Sequence, residues 1–495
     1  MPHIRSEMKK EITLALLAML LLLSCNYEIQ SSDSEKANSQ IDQNKSTKID
    51  RLLETYEERL GFSGSVLVAE NGKVIYKKGI GYANKELEVL NMPNTKHRIG
   101  SLTKQFTAMM ILQLVEQKVI ELDATINTYI SDYPRAGGNE ITIHHLLTHS
   151  SGIPRFRLKN YRDPYTPQEL LALWDDSGLD FRPGSQFTYS NPGYFLLGVI
   201  IERVTKKSYE QVLQERILGP LGMKNSGYDR HNTLLKNRSS GYVKKGIGYE
   251  NAGYTDMTVS YSAGAMYSTV EDMYRWDQAL YSNKILSPKY TALLFESHIA
   301  GLGRFYGYGW FNSKYPIGNT KDSIKVLEHS GGIQGYSARI TRVPSDKNLI
   351  IILSNVQGTE TRPMTYAING ILKEKSYDLP KRSFADGLSN IISQQGLDAG
   401  IVFYRNQKTS DQFEVKEREM NSLGYDFLEA EKLHIALEIF KMNTDLFPES
   451  SNAYDSLGEV HALLGNKDKA IENYRQAVTL NPENTNALKA LRNLE

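Results

Sequence analysis

Gly100-Ser-Leu-Thr-Lys-Gln-Phe-Thr107 is the stretch on which the reading of this chain turns. A helix beginning at Ser101 places Lys104 on the same face, because positions i and i+3 share a side. Gly100 leaves the backbone free to turn sharply just before it. The apolar positions after it (Phe106, Met109, Met110, Leu112, Leu114 and Val115) predict a mostly buried helix body. A lysine held at an apolar interior beside a serine hydroxyl is one way to make a nucleophile. Four residues cannot carry that conclusion alone, since the same spacing recurs at Ser6-Glu-Met-Lys9, inside a segment expected to be removed. The surroundings must decide.

The 495 residues leave room for two to four domains, and 40% hydrophobic composition suffices for ordinary globular cores. Basic and acidic residues number 58 and 57, a net charge of +1, which argues against a nucleic-acid partner. Arg5, Lys9 and Lys10 followed by the apolar run Ile12 to Leu23 read as a secretory leader, too short to span a bilayer. It ends Leu22-Leu23-Ser24-Cys25, which resembles the lipobox of bacterial lipoproteins. Cys25 is the only cysteine, so no intramolecular disulfide can form. The sequence thus predicts a signal peptide over 1–24, a lipid on Cys25 and a polar, disordered tether over 25–48. That places the protein in the bacterial cell envelope, anchored on the extracytoplasmic side.

Gly64 to Glu70 reads as a strand, Asn71-Gly72 as a tight hairpin turn and Lys73 to Tyr82 as the partner strand. Helical patterns fill the middle. Strand character returns at Ser337 to Val343 and Leu349 to Ser354, joined by the turn Ser345-Asp346-Lys347-Asn348. Strands at both ends with helices between predict one α+β domain over 49–378, an antiparallel sheet flanked by helices. Residues 379–415 read as a connector. The remainder, 416–495, aligns on itself at a shift of 34: Leu423 with Leu457, Gly424 with Gly458, Ala436 with Ala470, Phe440 with Tyr474, Pro448 with Pro482. This is the tetratricopeptide period, two units plus a capping helix near Asn486 to Glu495, a small all-α array suited to a protein partner.

Two distant segments complete the picture around Ser101. One is Arg182-Pro-Gly-Ser-Gln-Phe-Thr-Tyr-Ser-Asn-Pro-Gly-Tyr194, leading into an apolar helix. The other is Glu328-His-Ser-Gly-Gly-Ile-Gln-Gly-Tyr336, just before a strand. With Leu146-Leu-Thr-His-Ser-Ser-Gly-Ile-Pro154, these resemble the serine β-lactamase and penicillin-binding-protein superfamily, in its branch of class C β-lactamases, D-aminopeptidases and family VIII esterases. The resemblance covers nearly all of 60–356, with the motifs in the family's order. It implies Ser101 as nucleophile, Lys104 and Tyr189 sharing the proton work, and Asn191 as a polar contact to substrate or to Lys104. It further implies an oxyanion hole from the backbone N–H of Ser101 and of Gly332, and substrate contacts from His329 and Gly331. Where class A and C β-lactamases carry Lys-Thr-Gly, this chain has His329-Ser330-Gly331. A largely neutral histidine holds the carboxylate of a penicillin less well than lysine does, so the swap argues for acyl transfer without strong β-lactamase activity. The implied chemistry needs no metal and no cofactor.

Other features give smaller expectations. His144, His145 and His149 lack a carboxylate or cysteine at ligand spacing, so a zinc site is set aside for a structural segment near the site. Ser268-Thr-Val-Glu271 reads as a capping box. Gly307-Tyr-Gly-Trp310 is either an aromatic wall of the substrate cleft or a packed strand. Two functional classes remain: a lipid-anchored serine hydrolase acting on an ester, a D-amino-acid peptide or a related amide, or a non-catalytic relative that binds cell-wall peptide or a partner protein. Weak β-lactamase activity is a further alternative.

Overall fold

The computed structural model describes residues 44–155, 158–174, 178–246 and 248–495. The expected leader, Cys25 and the tether up to residue 43 lie outside the described residues. The chain divides into two units between Leu52 and Leu53. In the first, residues 44–52 are helical, so the tether expected over 25–48 gives way to helix at 44. The second, Leu53–Glu495, holds the sheet, the serine turn and the repeats.

Strands β1 (Gly64–Glu70) and β2 (Lys73–Ile80) flank Asn71-Gly72, whose φ values of 52° and 77° are the paired positive angles of a type I′ turn. Strands β3 (Tyr242–Lys245) and β4 (Gly248–Asn251) pair as a separate antiparallel hairpin. Then come β5 (Ile299–Gly301), β6 (Arg304–Tyr306), β7 (Phe311–Pro316), β8 (Ser323–Ile333), β9 (Tyr336–Val343), β10 (Asn348–Ser354) and the short β11 (Val356–Gln357). The main sheet runs β5-β6-β7-β8-β9-β10-β1-β2. Its pairings are antiparallel, and β1 meets β10 from Gly64↔Ser354 to Ala69↔Leu349. Strands from the two ends of the domain therefore lie side by side, as expected.

Every residue of β10 is buried, the pattern of a strand covered on both faces. On β9 the faces divide by alternation. Ala338 and Ile340 enter the main core with helices α1 (Thr103–Glu116), α2 (Asn191–Thr205), α3 (Met257–Gly264) and α4 (Val270–Ala279). Arg339 points the other way, to Thr361 at the start of α5 (Thr361–Leu372). The cap of α4 is shifted by one from its expected place. Thr269, not Ser268, accepts from the backbone N–H of Asp272, because the Ser268 hydroxyl is turned into the core against Ser226, 2.7 Å away.

The stretch 379–415, expected as a connector, is instead folded. Helices α6 (Phe384–Gln395) and α7 (Leu397–Gln407) form a pair, followed by α8 (Glu417–Glu429), α9 (Leu433–Leu446), α10 (Ser451–Leu463), α11 (Lys467–Leu480) and α12 (Thr485–Leu494). Phe384, Leu388, Ile392 and Tyr404 share one core with Met420, Leu423, Phe427 and Phe440. One packing device recurs along the array. A Cβ on Gly424 would fall 2.4 Å from the Phe440 ring, one on Gly458 2.9 Å from the Tyr474 ring, and one on Gly387 2.9 Å from the Phe403 ring. Small-against-aromatic contact lets the paired helices approach closely. It explains why Gly424/Gly458 and Phe440/Tyr474 repeat together.

Candidate active site

Ser101 sits in a 3₁₀ turn, Gly100–Leu102, that feeds directly into α1. Gly100 has φ 50°, and a Cβ there would lie 3.0 Å from the backbone of Gly332 on β8. The sharp turn expected before the serine is thus enforced by close approach of a strand. Lys104, one turn on, is completely buried. Its Nζ lies 3.1 Å from Ser101 Oγ, 2.9 Å from Asn191 Oδ1 and 2.8 Å from the carbonyl oxygen of Ala263. Burial lowers its pKa to about 7, so near neutrality the amine is free of its third proton much of the time. A neutral amine can still donate to Asn191 and Ala263, which leaves its lone pair for the hydroxyl proton of Ser101.

The Ala263 carbonyl is delivered by a break in α3. Tyr261 has φ 38° and ψ −135° inside that helix, a strained conformation for a bulky side chain. Beyond it the Ser262 carbonyl accepts from Thr107 and the Ala263 carbonyl from Lys104, both on α1.

Tyr189-Ser190-Asn191 also has a local cause. Ser190 is the N-cap of α2, its hydroxyl accepting from the Gly193 N–H, and Pro192 occupies the first turn. The cap fixes Tyr189 just outside the helix and Asn191 at its first position. The Lys104 ammonium position lies 4.9 Å from the centre of the Tyr189 ring. Burial raises the Tyr189 pKa above the ordinary phenol value, and a hydrogen bond with Ser101 works against that rise. At rest Tyr189 is therefore a neutral phenol.

Behind Tyr189 runs a polar chain that the sequence does not reveal as a unit. His149, in the Leu146–Pro154 segment, has φ 59°, and its ring lies 4.2 Å from that of Tyr189. The Ser190 N–H donates to His149 Nδ1, so the ring proton sits on Nε2, which donates to Tyr306 Oη at 3.1 Å. The Tyr306 hydroxyl faces His329 Nε2 at 3.3 Å, and His329 Nδ1–H donates to the Ser330 carbonyl at 2.7 Å. Burial pushes His329 down to about 3 and His149 well below its usual value. Both rings are neutral.

Two of the expected substrate contacts are buried in this geometry. His329 is 1% exposed, and both its nitrogens are engaged, by Tyr306 and by the Ser330 carbonyl. Gly331 is also buried. A Cβ there would lie 2.0 Å from the Ile99 carbonyl, so this glycine seats β8 against the serine turn. Gly332 is exposed toward the cleft, with open space where a Cβ would stand. Strand β7 ends its pairing opposite Glu328, which leaves the β8 edge from 329 onward facing the serine turn.

Ser101 opens into a cleft of about 600 Å³, whose wall includes Leu158, Tyr161, Leu170, Trp174, Phe195 and Val259, with Asn191, Ser260, Gln334 and Gln357 as polar members. The described lining residues carry no charged side chain. Gly307-Tyr-Gly-Trp310 is not part of this wall. Tyr308 and Trp310 are core residues, and a Cβ on Gly309 would fall 2.9 Å from Gln105 Cα, so the segment packs behind α1. The three histidines of the 144–149 segment face different partners: His144 meets Tyr308, His145 caps its own helix by accepting from Thr142 N–H, and His149 joins Tyr306.

Comparison with known proteins agrees with the fold. The family model described as Beta-lactamase matches residues 49–372, and that for a tetratricopeptide repeat matches 451–484. A penicillin-binding protein of Bacillus subtilis (strain 168) is 30% identical over 363 residues, covering 69% of this chain and 79% of its own. A teichoic acid D-alanine hydrolase of Staphylococcus aureus (strain MRSA252) is 29% identical over 336 residues, covering 67% and 78%. The solved octameric penicillin-binding protein homologue from Pyrococcus abyssi superposes with a TM-score of 0.59 at 29% identity, covering 70% of this chain and 81% of that one. From 49 to 372 the chain belongs to the beta-lactamase family, and its C-terminal helices carry a tetratricopeptide repeat.

Proposed function

We propose that the protein is a serine hydrolase that works through an acyl-enzyme on an ester, a D-amino-acid peptide or a related amide at the bacterial cell envelope. The observation that carries this reading is the buried Lys104 amine, its pKa lowered to about 7, lying 3.1 Å from Ser101 Oγ at the mouth of the cleft. In the first step the Ser101 oxygen bonds to the substrate carbonyl carbon while its proton passes to Lys104 Nζ. The carbonyl oxygen becomes an oxyanion that accepts from the N–H groups of Ser101 and Gly332, donors worth about 3–4 kcal/mol each when aimed at it. The proton then returns through the neutral Tyr189 phenol to the leaving oxygen or nitrogen as that bond breaks. Water adds to the acyl-enzyme by the reverse proton path and frees Ser101. Asn191, whose Oδ1 is held by Lys104, keeps its NH₂ group for the substrate carbonyl side.

The uncharged, aromatic wall supports a neutral acyl group, and the buried neutral His329 offers no cation for a penicillin carboxylate. One relative is a teichoic acid D-alanine hydrolase, which supports a D-alanyl group among the candidate acyl parts. A panel of p-nitrophenyl esters, D-alanyl-D-alanine peptides and nitrocefin decides between them. Esters should be turned over fastest, and an absence of any turnover or covalent adduct would sink the proposal.

With a p-nitrophenyl ester, whose phenolate leaves without needing a proton, Tyr189→Phe is expected to slow release of the acyl group more than its formation, because water still needs the phenol to carry its proton while Lys104 still deprotonates Ser101. Intact-mass spectrometry should then show an acyl adduct accumulating on the variant. Equal deacylation rates in parent and variant would remove Tyr189 from the mechanism.

We place the enzyme at the envelope through a lipid on Cys25, in keeping with the leader and the lipobox-like Leu22-Leu23-Ser24-Cys25. Lasting attachment needs two or more acyl chains, since one chain binds only marginally. Cys25→Ser should shift the protein to the soluble fraction. Persistent membrane association would point to an uncleaved leader as the anchor.

A further inference from the structure

The cleft shares a wall with a second, smaller cavity. Gln357 and Gly358 line both, and the second cavity, about 200 Å³, lies between the hydrolase domain and the helical array. Gln357 reaches toward the catalytic side. Its Oε1 accepts from the N–H of Gly335 at 3.0 Å, in the β8–β9 turn three residues beyond Gly332. Gly335 has φ 79°, and a Cβ on it would fall 2.6 Å from Gly241 Cα, so the turn is wedged against the approach to β3.

Strand β11, which carries Gln357, is paired in parallel with β3, Val356 with Tyr242 and Gln357 with Val243. The tip of the β3–β4 hairpin is held by the array. Asp426 of α8 accepts from the Gly246 N–H at 2.5 Å and pairs with Lys245 Nζ at 3.2 Å. Glu429 meets the same lysine at 3.0 Å, and Lys244 pairs with Asp386 of α6. A Cβ on Gly246 would lie 2.1 Å from Leu423 Cδ1, so the hairpin backbone rests directly on α8. The Asp426 side chain is 4% exposed, which makes it a repeat-helix carboxylate turned inward to the hydrolase domain.

We infer that Gln357 is a positioning residue for the Gly332 side of the cleft, and that Asp426 of the helical array holds it in place through the β3–β4 hairpin. The array thus helps set substrate affinity and is more than a docking surface. Contacts run without a gap from α8 to the hairpin, to β11, to the β8–β9 turn. The turnover readout rests on the proposed hydrolase activity; the exchange readout does not.

The test uses the full-length chain with p-nitrophenyl butyrate as probe. Asp426→Ala should raise KM about fivefold, with kcat changed far less, and Gln357→Ala should do the same. Residues acting through one path are not additive, so the double variant should match Gln357→Ala alone. Asp426→Asn, which can still accept from Gly246, should stay near the parent. Hydrogen–deuterium exchange gives a second reading without turnover: Asp426→Ala should speed exchange about fivefold in peptides covering 332–336. A parent without turnover would refute the hydrolase proposal while exchange still decides this one. Multiplying KM effects in the double variant, or unchanged exchange at 332–336 in Asp426→Ala, would overturn it.

Discussion

Ser101→Ala is expected to reduce turnover by about 10⁴-fold or more and to abolish labelling by a fluorophosphonate. Everything in the site converges on this oxygen. The 3₁₀ turn presents it at the cleft, Lys104 Nζ is 3.1 Å from it, and Gly331 and Gly332 bring the β8 backbone beside it. No other hydroxyl lining the cleft has an amine as partner: Ser260, Ser337, Thr255, Tyr161 and Tyr336 line the wall without a base in contact among the described residues. Stability should change little, since a small partly exposed residue replaces another and only the hydrogen bonds with Lys104 and Tyr189 are lost. Intact mass after probe treatment, with thermal unfolding in parallel, checks both halves. A folded alanine variant that hydrolyses esters at the parental rate would exclude Ser101 as nucleophile.

The parts of this architecture that local chemistry dictates are legible in the sequence, and the parts set by long-range packing are not. Asn71-Gly72 demands a primed turn whatever surrounds it, and Ser101 and Lys104 share a helix face by geometry alone. The 34-residue period shows because the same small and aromatic residues must meet in each unit. The burial of His329 is not legible, because nothing local tells which face of a strand looks inward. Its side chain is drawn back by Tyr306, 23 residues earlier on a strand two places away in the sheet. Residues 379–415 look weak because Gly387 and Gly400 lower helix propensity. Those glycines are there to admit the Phe403 ring and the Ile392 side chain, a reason visible only once the helices are paired. The Ser268 cap fails on the same ground, since a buried partner in Ser226 outcompetes the backbone. Gln357 carries no signal at all in the sequence. Its role depends on β11 being clamped between two domains.

Lys104→Met should lose activity by several orders of magnitude and yet unfold at a higher temperature. The first effect comes from removing the base that takes the Ser101 proton. The second comes from what the fold does to that lysine. Its pKa is lowered to about 7 by burial, against about 10.4 for a lysine in an unfolded chain. At pH 7 the folded amine is about half protonated and the unfolded one almost fully so, and the folded state is disfavoured by that difference. Because the unfolded state holds more protons between about 7 and 10.4, parental stability rises as pH increases through that interval. Methionine keeps most of the volume without the charge. The hydrogen bonds to Asn191 and Ala263 are lost, which offsets part of the gain. The net expectation is a variant more stable by about 2 kcal/mol at pH 7, with its advantage shrinking toward pH 10. Activity of the parent should track the same group, rising with pH through about 7 as the amine becomes neutral. Chemical denaturation of both proteins at pH 7 and pH 9.5 measures the difference. A variant destabilised equally at both values would mean that Lys104 is a structural ammonium that stays protonated, and that the base for Ser101 must be sought elsewhere.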